Sequence, residues 1–419
     1  MKLVRKVVPL AVAAVCAFVV SPARAKAGPS RTLHVACGAS PGGDGSAHAP
    51  FDSITAAVEA GRTLSATHRL TIAVAEGVCD RETLPIRLDY SVVLRGSREP
   101  RYDGRGFPLD GQTRDTLVTW PSDPIPEDLL FFEITGDRVH LSRLSLDGNV
   151  EPPPIGVAAF ADEFVIEQMR IIGADIGVWV ANAGGWIAGN YVGQAITAGI
   201  FLEGGDKRPH VVCLNNRIED YRFNGIDLAG VTEGGEAVYV ALDALVMRND
   251  VATSYTNTGP SNPAALRLAP AVLDSFGGHV TAAFLHNEVR GTPRYTMLVQ
   301  GGTPRRRPDL QHYTGTVKVT FFGTKLDEAA RNGASLITFT HVRASVFPCE
   351  LDPRNDRSVC PSLSGNPPRY WEYLQGAVFE VWHGGELNSV KVDHPAIDPV
   401  DGRDLGNRLI INGRVVAER

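Results

Sequence analysis

The chain is predicted to fold as an all-β, right-handed parallel β-helix, a solenoid in which short strands wind into stacked coils. Three observations predict this. An internal repeat opens on Gly-apolar-x-apolar, at Gly177-Val178-Trp179-Val180, Gly199-Ile200-Phe201-Leu202, Gly225-Ile226-Asp227-Leu228 and, with Ala for Gly, Ala265-Leu266-Arg267-Leu268. Each unit later carries a polar residue two before an apolar one, at Asn190-Tyr191-Val192, Asn216-Arg217-Ile218, Asn249-Asp250-Val251 and Asn287-Glu288-Val289. Between 110 and 345 no amphipathic helix of useful length interrupts these units.

Period-2 alternation marks the opening segments as strands. A single coil cannot bury its own apolar side, whereas a stack buries a continuous core and satisfies its backbone through parallel pairing. The repeat spacing is irregular, so turns must absorb the extra residues. The asparagines are assigned to tight turns, because the side-chain amide bonds backbone locally and Asn tolerates left-handed φ. Stacked, they form a structural ladder, and Leu144-Ser145-Leu146 and Met169-Arg170-Ile171 are its degenerate early members. A doubly wound α/β fold lacks its helices here, and a propeller or sandwich lacks its regular two-residue hairpins. Ile411-Asn412-Gly413-Arg414 alone reads as a type I′ hairpin turn.

The ends need covers, because open sheet edges invite aggregation. Asp52-Ser53 followed by Ile54, Ala57 and Val58 predicts a capped short helix closing the first coil. Residues 349–419, rich in Pro, Asp and Gly, are expected to wrap the last coil, leaving 26–348 as the β-helix. Residues 1–25 read as a signal peptide: Lys2, Arg5 and Lys6 precede the apolar run Val7–Val20, and Ala23-Arg24-Ala25 supplies the cleavage site. A secreted or periplasmic protein is expected. The apolar run is shorter than the about 18 residues a spanning anchor requires, so no transmembrane segment is expected.

Charge and cysteines narrow the function classes. The signal carries four cations and no anion, so its removal moves the formal charge from -6 to -10. That sign excludes nucleic acid as the expected partner, since phosphates demand clustered Lys and Arg. The run Arg305-Arg306-Arg307 reads as a solvated loop. In an oxidising compartment pairing is the default. Cys37 and Cys79 flank the first unit and Cys349 and Cys360 close a short loop, which gives two expected disulfides. Cys213 lies in an apolar strand and reads as an inert buried thiol.

The segment Leu33–Gly96 resembles the opening of secreted proteins of the pectin lyase-like superfamily. The likeness is carried by Pro50-Phe51-Asp52-Ser53-Ile54, Ala56-Ala57-Val58, Ala73-Val74-Ala75-Glu76-Gly77 and Arg81-Glu82. Ile134-Thr135-Gly136-Asp137-Arg138-Val139-His140-Leu141 to Leu146-Asp147-Gly148 looks like an early coil of the same group. The resemblance covers about 33–345 and implies the fold and a carbohydrate substrate class. It implies no specific activity. The polygalacturonase motifs are absent apart from Trp382-His383-Gly384. The pectate lyase arginine pattern is approached only by Arg306-Arg307-Pro308 with Gln311 in place of the second Arg, and Val392-Asp393-His394 lies after the repeats.

In Gly-apolar-x-apolar the x residue points away from the core. The outward column therefore reads Ala158, Trp179, Phe201, Asp227 and Arg267, with Glu203 one pleat along. Trp179 and Phe201 serve either as a stacking platform for sugar rings or as a satellite core under long turns. Asp227 and Arg267 should lie on adjacent coils about 4.8 Å apart. The guanidinium is expected to hold the carboxyl at a low pKa. The bland reading of those two residues, and the preferred one, is an ordinary cross-sheet salt bridge. A hydrolase would use Glu203 with Asp227 as its carboxylate pair. A lyase would use Arg267 as cation, Lys207, His210 or Tyr295 as base, and Ca²⁺ against the uronate. Arg222, with Asp220 and Asn224, would rim the same groove, and long first turns at 230–237 and 270–279 would flank it. Three functions are thus in play: a polysaccharide lyase or glycoside hydrolase, a noncatalytic carbohydrate-binding or adhesin-like protein, and a spacer. A monomer is expected.

Overall fold

The computed structural model describes residues 28–110, 115–120, 129–229, 239–254, 264–269 and 277–291, and after them the strands at 295–300, 314–322, 335–340, 378–384, 390–393, 408–411 and 414–418. The signal segment, Cys349, Cys360, the Arg305–Arg307 run and the turns at 230–237 and 270–276 lie outside the described residues.

The chain is a parallel β-helix. Its described strands fall into three sheets of 10, 13 and 8 strands, visited in that order within each coil. One coil runs Ile176–Ala181, Gly185–Ala188 and Tyr191–Gly193, and the next runs Ala198–Glu203, His210–Leu214 and Arg217–Glu219. From coil to coil the strands of each sheet pair in parallel, and the register matches the repeat alignment: Val178 pairs with Ile200, Ile200 with Ile226, and Ile226 with Leu266. Inward residues from the three sheets, such as Val178, Ile187 and Val192 in one coil, are fully buried and meet in a single core.

The repeat's two halves are coupled by packing. A Cβ placed on Gly177, Gly199 or Gly225 would run into Val192, Ile218 or Val251 of the same coil, and into the carbonyl of the coil above. The opening glycine therefore makes room for the apolar residue that follows the asparagine.

The asparagine ladder forms as expected. Asn190, Asn216, Asn249 and Asn287 are fully buried between the thirteen- and eight-stranded sheets. Each amide nitrogen of the first three donates to the Oδ1 of the next at 2.9 Å. Each also donates to a strand carbonyl of the preceding coil, for example Asn216 Nδ2 to Ile187 O at 2.9 Å. The Oδ1 atoms in turn accept backbone N–H groups: Met169 N donates to Asn190, Asn190 N to Asn216, Asn216 N to Asn249 and Asn249 N to Asn287. The left-handed residue is not the ladder asparagine itself but the one before it. Arg143, Gln168, Asn215, Arg248 and His286 have φ of 51–58°, and Gly189 fills the same place at 64°. The reason for asparagine is thus its hydrogen-bonding capacity in a dry turn rather than backbone tolerance.

The N-terminal cover is helix α1, Ile54–Leu64, whose Ser53 N-cap accepts from Ala56 N. Ile54, Ala57, Val58 and Gly61 face the core. Glu82 completes the cap by accepting from Ile54 N (2.7 Å), Thr55 N (2.8 Å) and Thr55 Oγ1 (2.6 Å), which places a carboxylate at the positive end of the helix. The Cys37–Cys79 disulfide forms beside it. Cys213 is a free, buried cysteine whose thiol burial pushes up to about 12, in line with an inert role. Strands continue past residue 348: Val378–Gly384 and Val390–Asp393 extend the thirteen- and ten-stranded sheets, and Arg408–Ile411 pairs antiparallel with Arg414–Glu418 in the expected hairpin.

The ladder predicts a specific cost. Asn216→Ala leaves two buried donors of Asn190 and the Ile187 carbonyl without their partner, and should lower stability by about 2–4 kcal/mol in urea denaturation. A loss under about 0.5 kcal/mol, the range of an ordinary surface change, would show that the ladder is incidental.

Candidate functional site

The outward column on the ten-stranded sheet stands in the expected register. Ala158 pairs with Trp179, Trp179 with Phe201, Phe201 with Asp227, and Asp227 with Arg267. Toward the N-terminus it continues through Glu133 to Arg87, which are ion-paired at 2.7 Å. The backbone therefore places the aromatic pair and the charged pair consecutively on one face.

The side chains on that face are more deeply covered than alternation alone predicts. Trp179 and Phe201 are half-buried. The indole of Trp179 meets Phe160 edge-on at 5.1 Å between ring centres, and its Nε1 donates to Glu203 Oε2 at 2.8 Å. Glu203 is 6% exposed and Asp227 3%. Every residue of the strand Asn224–Ala229 is buried, on the outward as well as the inward pleat.

Asp227 is held on one side only. Its Oδ2 accepts from Arg267 at 2.7 Å and from Asn224 Nδ2 at 2.9 Å, while Oδ1 is buried with no hydrogen-bond partner among the described residues. The expected low pKa is overturned. Burial raises the Asp227 carboxyl above the ordinary aspartate range, and the opposing pull of Arg267 and Asn224 is smaller. Sequence alternation identified the partner but carried no information on depth. Glu203 and Asp227 lie on adjacent strands two residues apart in register, which puts their Cα atoms about 8 Å apart.

The remaining expected site residues separate. Arg222 is exposed in the turn before Asn224–Ala229, beside the Phe223 ring, so it stands at the rim of this face. Asp220, in the same turn, accepts from Ser254 instead. Tyr295 opens a strand in register with Ala264 on the ten-stranded sheet. Lys207 and His210 do not join them. Lys207 is exposed in the turn that leaves this sheet, and His210 begins a strand of the thirteen-stranded sheet, with Nδ1 3.3 Å from Asp243. Among the described residues the one group with metal-like spacing is Cys37, Cys79 and Glu82, whose sulfurs are joined and whose carboxylate caps α1.

A larger charged array lies on the eight-stranded sheet and has no counterpart in the sequence reading. Residues 97–110 form a strap laid across several coils, from Arg170, which pairs with Asp110 at 2.6 Å, to Glu288, which pairs with Arg105 at 2.7 Å. Arg105 also meets Asp103 and Asp250, Arg217 meets Asp103 and Glu219, and Arg290 grips both oxygens of fully buried Asp250 at 2.6 and 2.7 Å. Acids and cations alternate throughout, which marks a fastening rather than an open site. The available signal was the residue after each ladder asparagine, which points outward and reads Tyr191, Arg217, Asp250, Glu288.

No protein-family model matches this chain, and no curated protein matches it. Among solved structures, the chain aligns with the receptor-binding protein of bacteriophage Det7, a podoviral tailspike in a myovirus, at 12% identity over 71% of each chain with a TM-score of 0.18.

The environment of Asp227 predicts a pH signature. A carboxyl whose folded pKa exceeds its unfolded value of about 3.9 contributes stability that is complete below that value and is lost as pH rises through the folded pKa. The unfolding free energy of wild type minus that of Asp227→Asn should therefore decline as pH rises from about 4 toward neutrality. A difference that stays level or grows would contradict burial as the dominant influence.

Proposed function

We propose that this protein is a secreted carbohydrate-binding β-helix whose glycan lies along the outer face of the ten-stranded sheet. The observation that carries the reading is the pair Trp179 and Phe201, consecutive in the outward column and both partly exposed. A sugar ring presents an apolar face that stacks on such rings. Glu203 and Phe160 fix the Trp179 indole in place, so the ring loses little freedom on binding. Arg222 at the rim supplies a cation for an acidic sugar. The resemblance of residues 33–345 to the pectin lyase-like superfamily supports a carbohydrate ligand. The formed Cys37–Cys79 bond and the signal-like residues 1–25 support export.

Binding is favoured over catalysis because the expected catalytic carboxylates, Asp227 and Glu203, are nearly closed off from solvent. One observation keeps the lyase or glycoside hydrolase reading as a second choice. Asp227 has a raised pKa and a free Oδ1 beside the Arg267 cation, which is the equipment of a general acid once a ligand opens the face. Ca²⁺ would enter only in the lyase form of this reading.

The test is retention of the protein on a panel of polyuronates and neutral glycans, with absorbance at 235 nm and reducing ends read in parallel. Retention is expected, and Trp179→Ala should weaken it about tenfold while Trp179→Phe preserves most of it. Product formation that disappears in Asp227→Asn would move the assignment to the enzyme. Absence of both retention and products across the panel would contradict the proposal.

A further inference from the structure

The thirteen-stranded sheet presents an outer face that no element among the described residues covers. Two of its outward columns are apolar over three or four successive coils. One column reads Val165, Trp186, Val212 and Leu245, and the next reads Ala188, Leu214 and Met247. Trp186 is 41% exposed. The aliphatic majority suits a protein partner better than a sugar, whose hydroxyls would find few partners there.

Charge at the two edges of this face identifies the partner. At the edge where the strands begin, Asp137, Asp162 and Asp206 accept hydrogen bonds from neutral N–H groups and form no ion pair within 4 Å among the described residues. Lys207 offsets one of them, and the pairs Arg138–Glu163 and Arg208–Asp243 cancel internally. At the edge where the strands end stand Arg95, Arg143 and Arg248; Arg143 donates to the Gln168 side chain at 2.8 Å and lies near the Glu167 carboxylate, which it helps hold below its ordinary pKa. Glu167 at that edge, hydrogen-bonded to His140, offsets one of these three cations. One edge is therefore net acidic and the other net basic.

From this we infer that the face is a homodimer interface, with a second copy of the chain related by a two-fold axis parallel to the coil stack. Such an axis keeps each coil level with itself and exchanges the edges, so the acidic edge of one copy meets the basic edge of the other. A two-fold along the strands would set acid against acid. Electrostatic complementarity of this kind fixes orientation, and the apolar columns supply the attraction. The dimer replaces the monomer expected from sequence and leaves the ten-stranded sheet of each copy facing outward.

The test is the mass in solution of the full protein, by light scattering on a sizing column at tens of micromolar and physiological salt. Twice the chain mass is expected. The double variant Trp186→Glu with Leu245→Glu should halve it while circular dichroism and the thermal midpoint stay unchanged, because both side chains face outward. Single variants Val165→Cys and Leu245→Cys should each cross-link to themselves under mild oxidation, as a stack-parallel axis requires. A monomer in the wild type would overturn the proposal, as would a dimer indifferent to the double substitution. Cross-linking of Val165→Cys only with Leu245→Cys would overturn the parallel axis.

Discussion

The fold depends on a line of buried amides. A parallel β-helix leaves backbone groups facing its own interior at every turn, where water cannot reach them. At the turn between the thirteen- and eight-stranded sheets the asparagine side chain answers this by accepting the backbone N–H of the coil before, donating to a strand carbonyl, and donating onward to its neighbour. With the turn fixed, the left-handed residue before it and the outward residue after it take the same place in every coil. The glycine of the first strand then falls opposite the apolar residue of the third. Core packing, strand register and the outward columns all follow from that alignment.

Register explains why so much was legible from residues alone. The alternation in Gly-apolar-x-apolar gives the outward column from Ala158 to Arg267 without error, because in a stack with a fixed turn a one-residue slip would bury Asp227 and Arg267 in the core. The N-cap at Ser53 was local, and the Cys37–Cys79 pair was legible from cysteines flanking the first structural unit. What alternation cannot report is what lies over the outward pleat. Asp227 was read as an exposed carboxylate with its pKa lowered by Arg267. The depth of its strand reverses that sign. Lys207 and His210 were read as possible bases reaching the groove from turns, but Lys207 lies in the turn that leaves this sheet and His210 begins a strand of the next one.

The strap at 97–110 was invisible for a different reason. Its contacts join Arg105 to Asp250 and Glu288, across most of the stack, and no periodic pattern encodes a segment that runs along the solenoid axis instead of around it. Its effect is to tie several coils together through the paired charges of Asp103, Arg105 and Asp110. That separates it from the face of the ten-stranded sheet, where Asp227 keeps an unmatched oxygen on the column that carries Trp179 and Phe201. Binding chemistry gathers where the polar inventory is left incomplete, and structural chemistry where it is closed.

Hydrogen–deuterium exchange of the unliganded protein tests the ladder most directly, since it reads the amides that the ladder claims to hold. The backbone N–H groups of Met169, Asn190, Asn216 and Asn249 sit in turns, yet each donates to a buried asparagine Oδ1. They should exchange as slowly as the flanking strand amides, through opening of the coil stack as a unit. Exchange at the rate of ordinary turn amides would mean that the ladder does not hold the coils together.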